Sequence, residues 1–230
     1  MQYFEGQFPS TDGGAAASDA ETLRASLAQT HALLREVDHR VKNNLQLIAS
    51  LIQLQSRRTE DPAARHALQT VLERLNAVTT VHRRLFQGDP QQFEVAEFIR
   101  DLTPDLAAAA GRDDLSITLD LDPVRVPAAA AAPMALVVNE LLGNALKHAY
   151  AASRGGQVRV TLRDEPDACV LNIADDGLGL AGRPPGLGLT IVRLLCQQLR
   201  AEFSLEETRP GLSAVLRAPF DREAARPGAS

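Results

Sequence analysis

Apolar positions in the first third of the chain recur at three- and four-residue steps. Between Asp19 and about Arg57 they fall, with Thr30 among them, at Leu23, Leu27, Leu34, Val37, Val41, Leu45, Ile48 and Ile52. That spacing puts them on one side of an α-helix. Asp19 can cap its start, and the run of nearly forty residues predicts one arm of a coiled-coil-like hairpin rather than an ordinary surface helix. The segment RRTEDP at 57–62 breaks the pattern, and Pro62 suits the first position of a second helix. That helix carries Leu68, Val71, Leu72, Leu75, Val78, Val81 and Leu85, and QGDP at 87–90 ends it. Beyond it the period alternates. A helix from about Val95 to Ala110 precedes a period-two strand, LSITLDLD at 115–122, and a helix from Ala128 to about Ala151 follows. VRVTLRD and ACVLNIAD read as a hairpin around Glu165-Pro166-Asp167. A helix from Leu187 to about Arg200 leads to a last hairpin, FSLEET and LSAVLRA, around Arg209-Pro210-Gly211. Helices interleaved with mostly antiparallel strands predict a two-layer sandwich. The fold class is therefore α followed by α/β: a helical hairpin at 19–90, then a sandwich at 91–220. Residues 1–18 are turn-rich and lack a period, so a flexible lead is expected there, and a flexible tail at 221–230.

Composition adds little to this picture but narrows the function classes. At 230 residues, 45% apolar and 23% charged, the chain can bury its own core. A net charge of −5 argues against a nucleic-acid surface. Cys169 and Cys196 sit in separate apolar segments without metal-ligand spacing, which predicts buried reduced thiols. No signal peptide opens the chain, and the longest apolar stretch, 128–138, contains Pro133 and is too short to span a bilayer. A cytoplasmic location with no membrane span is expected.

One residue stands out against the apolar stripe of the first helix. On a wheel of about 100° per residue, His39 falls roughly 160° from the stripe's centre, so it points into solvent. Arg35, Glu36, Asn43, Gln46 and Ser50 share its side. Imidazole titrates near neutrality and is a usable nucleophile, and Arg40 and Lys42 could attract a phosphate. The surrounding string, EVDHRVKNNLQLIASLIQLQ, resembles the H-box of bacterial sensor histidine kinases. The match is to an HWE-related subgroup whose box reads His-Arg-x-Lys-Asn-Asn-Leu-Gln. The resemblance implies that His39 is the autophosphorylation site. Its general base is open: Glu36 is the candidate by helix face and Asp38 by adjacency.

Three further strings follow in order. In LVVNELLGNALKHAY, 136–150, the wheel buries Val138, Leu141, Leu142, Ala145 and Ala149 and gathers Glu140, Asn144 and Lys147 on the other face, with His148 at its border. A carboxylate, an amide oxygen and an ammonium on one face suit a magnesium–phosphate group. ADDGLGL, 174–180, closes a strand with a glycine turn, and PPGLGLTIVRLLCQQL, 184–199, is a glycine-rich loop running into a helix whose first amides can bind an anion. These strings resemble the N-box and the two glycine boxes of the GHKL ATPases. By that resemblance Asn144 ligates Mg2+, and Glu140 orients or activates the nucleophile or water. Lys147 and His148 lie near the phosphates, Asp175 accepts the adenine amino group, Gly177 and Gly179 line the pocket, and Gly186 and Gly188 meet the phosphates. The chain departs from many relatives in its short, proline-rich lid AGRPP, in lacking a phenylalanine box, and in having no tryptophan for a WxE signature.

The resemblance implies an ATP-dependent protein-histidine kinase that uses ATP and Mg2+. It would phosphorylate itself on His39 and pass the phosphoryl group to an aspartate of a response-regulator receiver domain. A homodimer through the hairpin, forming a four-helix bundle, is expected, with an upstream sensor that these 230 residues do not contain. The alternative is a histidine phosphotransferase or docking module with weak or no ATP binding.

Overall fold

A computed structural model describes residues 12–89, 91–112, 114–150, 155–179 and 186–220. Helix α1 spans Asp12–Arg58 and helix α2 spans Pro62–Gln87. The helical backbone is already in place at Asp12, inside the stretch expected as a flexible lead, where the alanines at 15–17 favour a helix against the cost of Gly13 and Gly14. The rest of that lead, the tail at 221–230, the lid at 181–185 and the side chains of Leu23, Leu27, Leu34 and Asp38 lie outside the described residues. By its contacts the chain divides into two units, Met1–Gln46 and Leu47–Ser230.

In the second unit, Asp61 caps α2 by accepting from the amides of Ala63 and Ala64, with Pro62 at the first helical position. Strand β1 (Gln92–Glu94) leads into α3 (Val95–Ala110), then β2 (Leu115–Leu121), β3 (Arg125–Pro127) and α4 (Ala128–His148). Strands β4 (Gly156–Asp164) and β5 (Cys169–Asp175), helix α5 (Leu187–Gln198), and strands β6 (Glu202–Glu207) and β7 (Leu212–Ala218) complete it. Five strands form one sheet in the order β2-β4-β5-β7-β6. The pairs β4–β5, β5–β7 and β6–β7 are antiparallel, and β2–β4 is parallel. The alternation read in LSITLDL is observed: Leu115, Ile117, Leu119 and Leu121 turn inward while Ser116, Thr118 and Asp120 face solvent.

Helix α4 lies between α3 and α5 and is the centre of the core. Val138, Leu141, Leu142, Ala145 and Ala149 are all buried, as the wheel predicts. Among the described residues α4 is also the helix long and apolar enough to cross a membrane, but most of its length is enclosed by protein, so its apolarity is that of a core helix. The pair β1–β3 has no signature in the hydrophobic pattern. Each strand has three residues, too few to show a period, yet Phe93 and Val126 face each other fully buried. Cys169 and Cys196 are buried and unbridged. Burial pushes their thiols up to about 12 and about 11, which leaves them unreactive.

Helix α2 carries two apolar faces. Ala77 and Val81 are buried in the core shared with α4, flanked by Glu73 and Arg74. The stripe expected to be buried in a hairpin lies mostly on the other side, where Leu68, Leu72 and Leu75 are half-buried and Val71 and Phe86 are each 44% exposed. In the same unit the end of α1 exposes Leu47, Ile48, Leu51 and Leu54.

Candidate functional site

In the first unit His39 is exposed on α1, as the wheel predicts. Glu36 shares its face, and its carboxylate accepts a 2.7 Å hydrogen bond from Arg40 Nε one turn away. Both partners are well exposed, so this pair contributes only about 0.3–0.5 kcal/mol and opens readily.

The second unit gathers the N-box and the glycine residues around α4. Asn144 is half-buried. A Cβ on Gly188 would lie 2.7 Å from Glu140 Oε2 and 3.6–3.7 Å from the Asn144 carboxamide. The first turn of α5 therefore rests on the polar face of α4, with Gly186 at its N-cap and no side chain capping it. The first N–H groups of a helix have no intrahelical carbonyl to bond, and such a start can bind an anion. Glu140 is 6% exposed. Both its oxygens are taken by Arg74 of α2, at 2.6 Å from Nε and 2.9 Å from Nη2. That hydrogen bond raises the guanidinium pKa above its ordinary value against the opposing effect of burial. Lys147, one side of the same face, gives Nζ to both oxygens of Glu73 at 2.6 and 2.7 Å. His148 is exposed at the end of the helix.

The first glycine turn closes against the other end of α4. Leu178 N–H donates to Ala149 O at 2.8 Å, and a Cβ on Gly177 would stand 2.1 Å from that same oxygen; only glycine fits there. Gly179 follows in the left-handed region. The Asp175 carboxyl accepts from Gly177 N–H at 2.9 Å. Burial pushes its pKa above the ordinary value, hydrogen bonds from the Gly177 and Leu212 amides pull it down, and the adjacent Asp176 charge pushes it up.

Four contributors were not identified from sequence. Glu73 and Arg74 lie on α2 outside the apolar positions that define the helix in the sequence. Tyr150 donates its hydroxyl to Asp176 Oδ1 at 2.7 Å, and Asp176 Oδ1 also accepts from Gln157 N–H at 2.7 Å, which ties the glycine turn to β4. Gly211, read only as a hairpin turn, presses on the strand end that holds Asp175. Its φ is 105° and a Cβ would fall 1.8 Å from Asp175 O. Gly211→Ala must therefore displace either the β6–β7 turn or Asp175. The expected result is a loss of about 1–3 kcal/mol of stability together with weakened adenine-nucleotide affinity, checked by thermal melting and by titration with a fluorescent ATP analogue.

A central helix with a carboxylate, an amide and an ammonium on one face, a glycine turn at its C-terminal end, and a second glycine-led helix across it define a GHKL-type ATP-binding domain. A sequence family described as "Histidine kinase" matches residues 36–110, and one described as "Histidine kinase-like ATPase domain" matches residues 115–212. The sensor histidine kinase PdtaS of Mycobacterium tuberculosis is 35% identical over 217 residues, covering 86% of this chain. The blue-light-activated histidine kinase 2 of Erythrobacter litoralis is 27% identical over 195 residues, 80% of this chain and 55% of that protein. The solved histidine kinase domain of Erythrobacter litoralis EL346 shares the fold, with a TM-score of 0.63 at 24% identity over 84% of this chain and 93% of that one. The chain belongs to the histidine kinase family, in the HWE-related group. It spans 41% of the length of PdtaS.

Proposed function

We propose that this chain is the core of a two-component sensor histidine kinase: it takes the γ-phosphoryl group of ATP onto His39 and passes it to an aspartate of a response-regulator receiver domain. The observation that carries this reading is the pairing of an outward-facing H-box histidine in the first unit with a GHKL face in the second, where a half-buried Asn144 lies beside the α5 amides. A ring nitrogen of His39 would attack the γ-phosphorus. An N–P bond forms, the P–O bond to the β-phosphate breaks, and ADP leaves. The ring proton passes to Glu36 or to water. In the second step a carboxylate oxygen of the regulator attacks the phosphorus and the N–P bond breaks, which restores the imidazole.

Within the second unit, Asp175 would accept from the adenine amino group, with Gly177 and Gly179 along the base. Gly186 and Gly188 would present the amides of α5 to the phosphates, with Lys147 and His148 near them. The donor set fits a magnesium ion that arrives with its nucleotide. Among the described residues no group of three acidic, histidine or cysteine side chains could cage a metal. One carboxamide oxygen, Asn144 Oδ1, would hold Mg2+ together with phosphate and water oxygens, and the ion would neutralise phosphate charge there.

The exposed Leu47, Ile48, Leu51 and Leu54 of α1 and the outer face of α2 support a homodimeric four-helix bundle, since two helices alone bury such stripes poorly. An upstream sensor would feed it, and the ATP requirement argues for the cytoplasm. The testing experiment titrates a fluorescent ATP analogue with and without Mg2+. Saturable, Mg2+-dependent binding followed by phosphate transfer to a purified receiver domain is expected. Absence of nucleotide binding would overturn the kinase reading in favour of a phosphotransferase.

A further inference from the structure

The charges of the N-box are already spent. Two consecutive residues of α2 meet two N-box residues seven apart on α4, and each pairing is doubly bonded. Arg74 covers both oxygens of Glu140, and Glu73 takes the Lys147 ammonium with both of its own. The signs are complementary at both points, and a shift of α2 by one turn would bring Gln69 and Thr70 or Ala77 and Val78 there instead and break both pairs. The pairs are also well shielded: side-chain exposure is 17% and 5% in the first, 23% and 21% in the second. Ala77 and Val81, one and two turns further along α2, seat the helix in the core beside them. The contact is thus a specific docking of α2 on the nucleotide face.

We propose that this double ion pair is a latch through which α2 docking and nucleotide binding oppose each other. The inference rests on the reading of α4 as the phosphate side of an ATP site. A triphosphate brings several negative charges to a place where Lys147 is neutralised and where the Glu73 carboxylate is itself an anion. Phosphates and Glu73 compete for one ammonium, and what one gains the other loses. Linkage then requires reciprocity: docked α2 weakens nucleotide binding, and bound nucleotide loosens α2 by the same factor. A signal that moves α2 would in this way reach the ATP site without touching the nucleotide.

Glu73→Gln tests this from the α2 side, leaving every N-box residue in place and the side-chain shape unchanged. The Mg2+ complex of a non-hydrolysable ATP analogue should bind the variant on the order of five- to tenfold more tightly than the wild type, while adenosine, which has no phosphates, binds both alike. Independently of any variant, saturating analogue should accelerate amide hydrogen exchange across residues 70–80 of the wild-type chain. Unchanged analogue affinity in Glu73→Gln, or wild-type α2 exchange that nucleotide does not alter, overturns the latch while the kinase assignment survives. A wild-type chain that binds no analogue at all overturns the kinase reading itself, and the latch with it.

Discussion

Replacing His39 with glutamine removes all phosphate labelling from ATP and leaves ATP-analogue affinity within about twofold of the wild type. The split follows from where the residue sits. His39 is exposed on α1, so a glutamine there removes no buried side chain, and glutamine is as good a helix former as the site needs. Asn144, Asp175 and Gly188, proposed to meet the nucleotide, belong to the other unit, so on this proposal the affinity has no term in the imidazole. What glutamine lacks is a nucleophilic nitrogen, since its amide lone pair is delocalised into the carbonyl. The check is a filter-bound or gel assay with γ-labelled ATP run beside an equilibrium titration. Labelling that persists in His39→Gln would move the acceptor to another of the five histidines.

Asn144→Ala gives the second large effect, by the opposite route. The histidine is intact, but Mg2+-dependent labelling falls by about two orders of magnitude or more, the usual cost of removing one electrostatic contact to a charged transition state. The fold tolerates the change. Asn144 is only half-buried, alanine is the best helix former, and the neighbouring Glu140 keeps its Arg74 partner. The thermal midpoint should move by no more than about a few degrees. Autophosphorylation at the wild-type rate would show that the metal is held elsewhere.

Much of this architecture is legible in the sequence where a period has room to repeat. The buried face of α4 spans several turns, and β2 alternates over seven residues; both are read correctly. His39 is legible for the same reason, as a histidine on the side opposite a long stripe. Three kinds of feature are not. Strands β1 and β3 are too short to show a period. The inner face of α2 is written in small and charged residues, Glu73, Arg74 and Ala77, so the wheel selects its leucine-rich face instead; the burial of Ala77 comes from close approach, not from hydrophobicity. The roles of Arg74, Tyr150 and Gly211 depend on partners 66, 26 and 36 positions away in the chain (Glu140, Asp176 and Asp175). The motif strings name Glu140, Lys147 and Asp175, but not the residues that hold them.

In the proposed reaction the phosphoryl group of ATP comes to rest on one exposed imidazole. Incubation of the intact chain with γ-labelled Mg2+–ATP, followed by peptide mapping of the label and its stability in acid and alkali, tests it most directly. The expected product is a single acid-labile, alkali-stable phosphate on the peptide that contains residue 39. An acid-stable label on a serine or threonine, or turnover of ATP with no protein-bound phosphate, would contradict it.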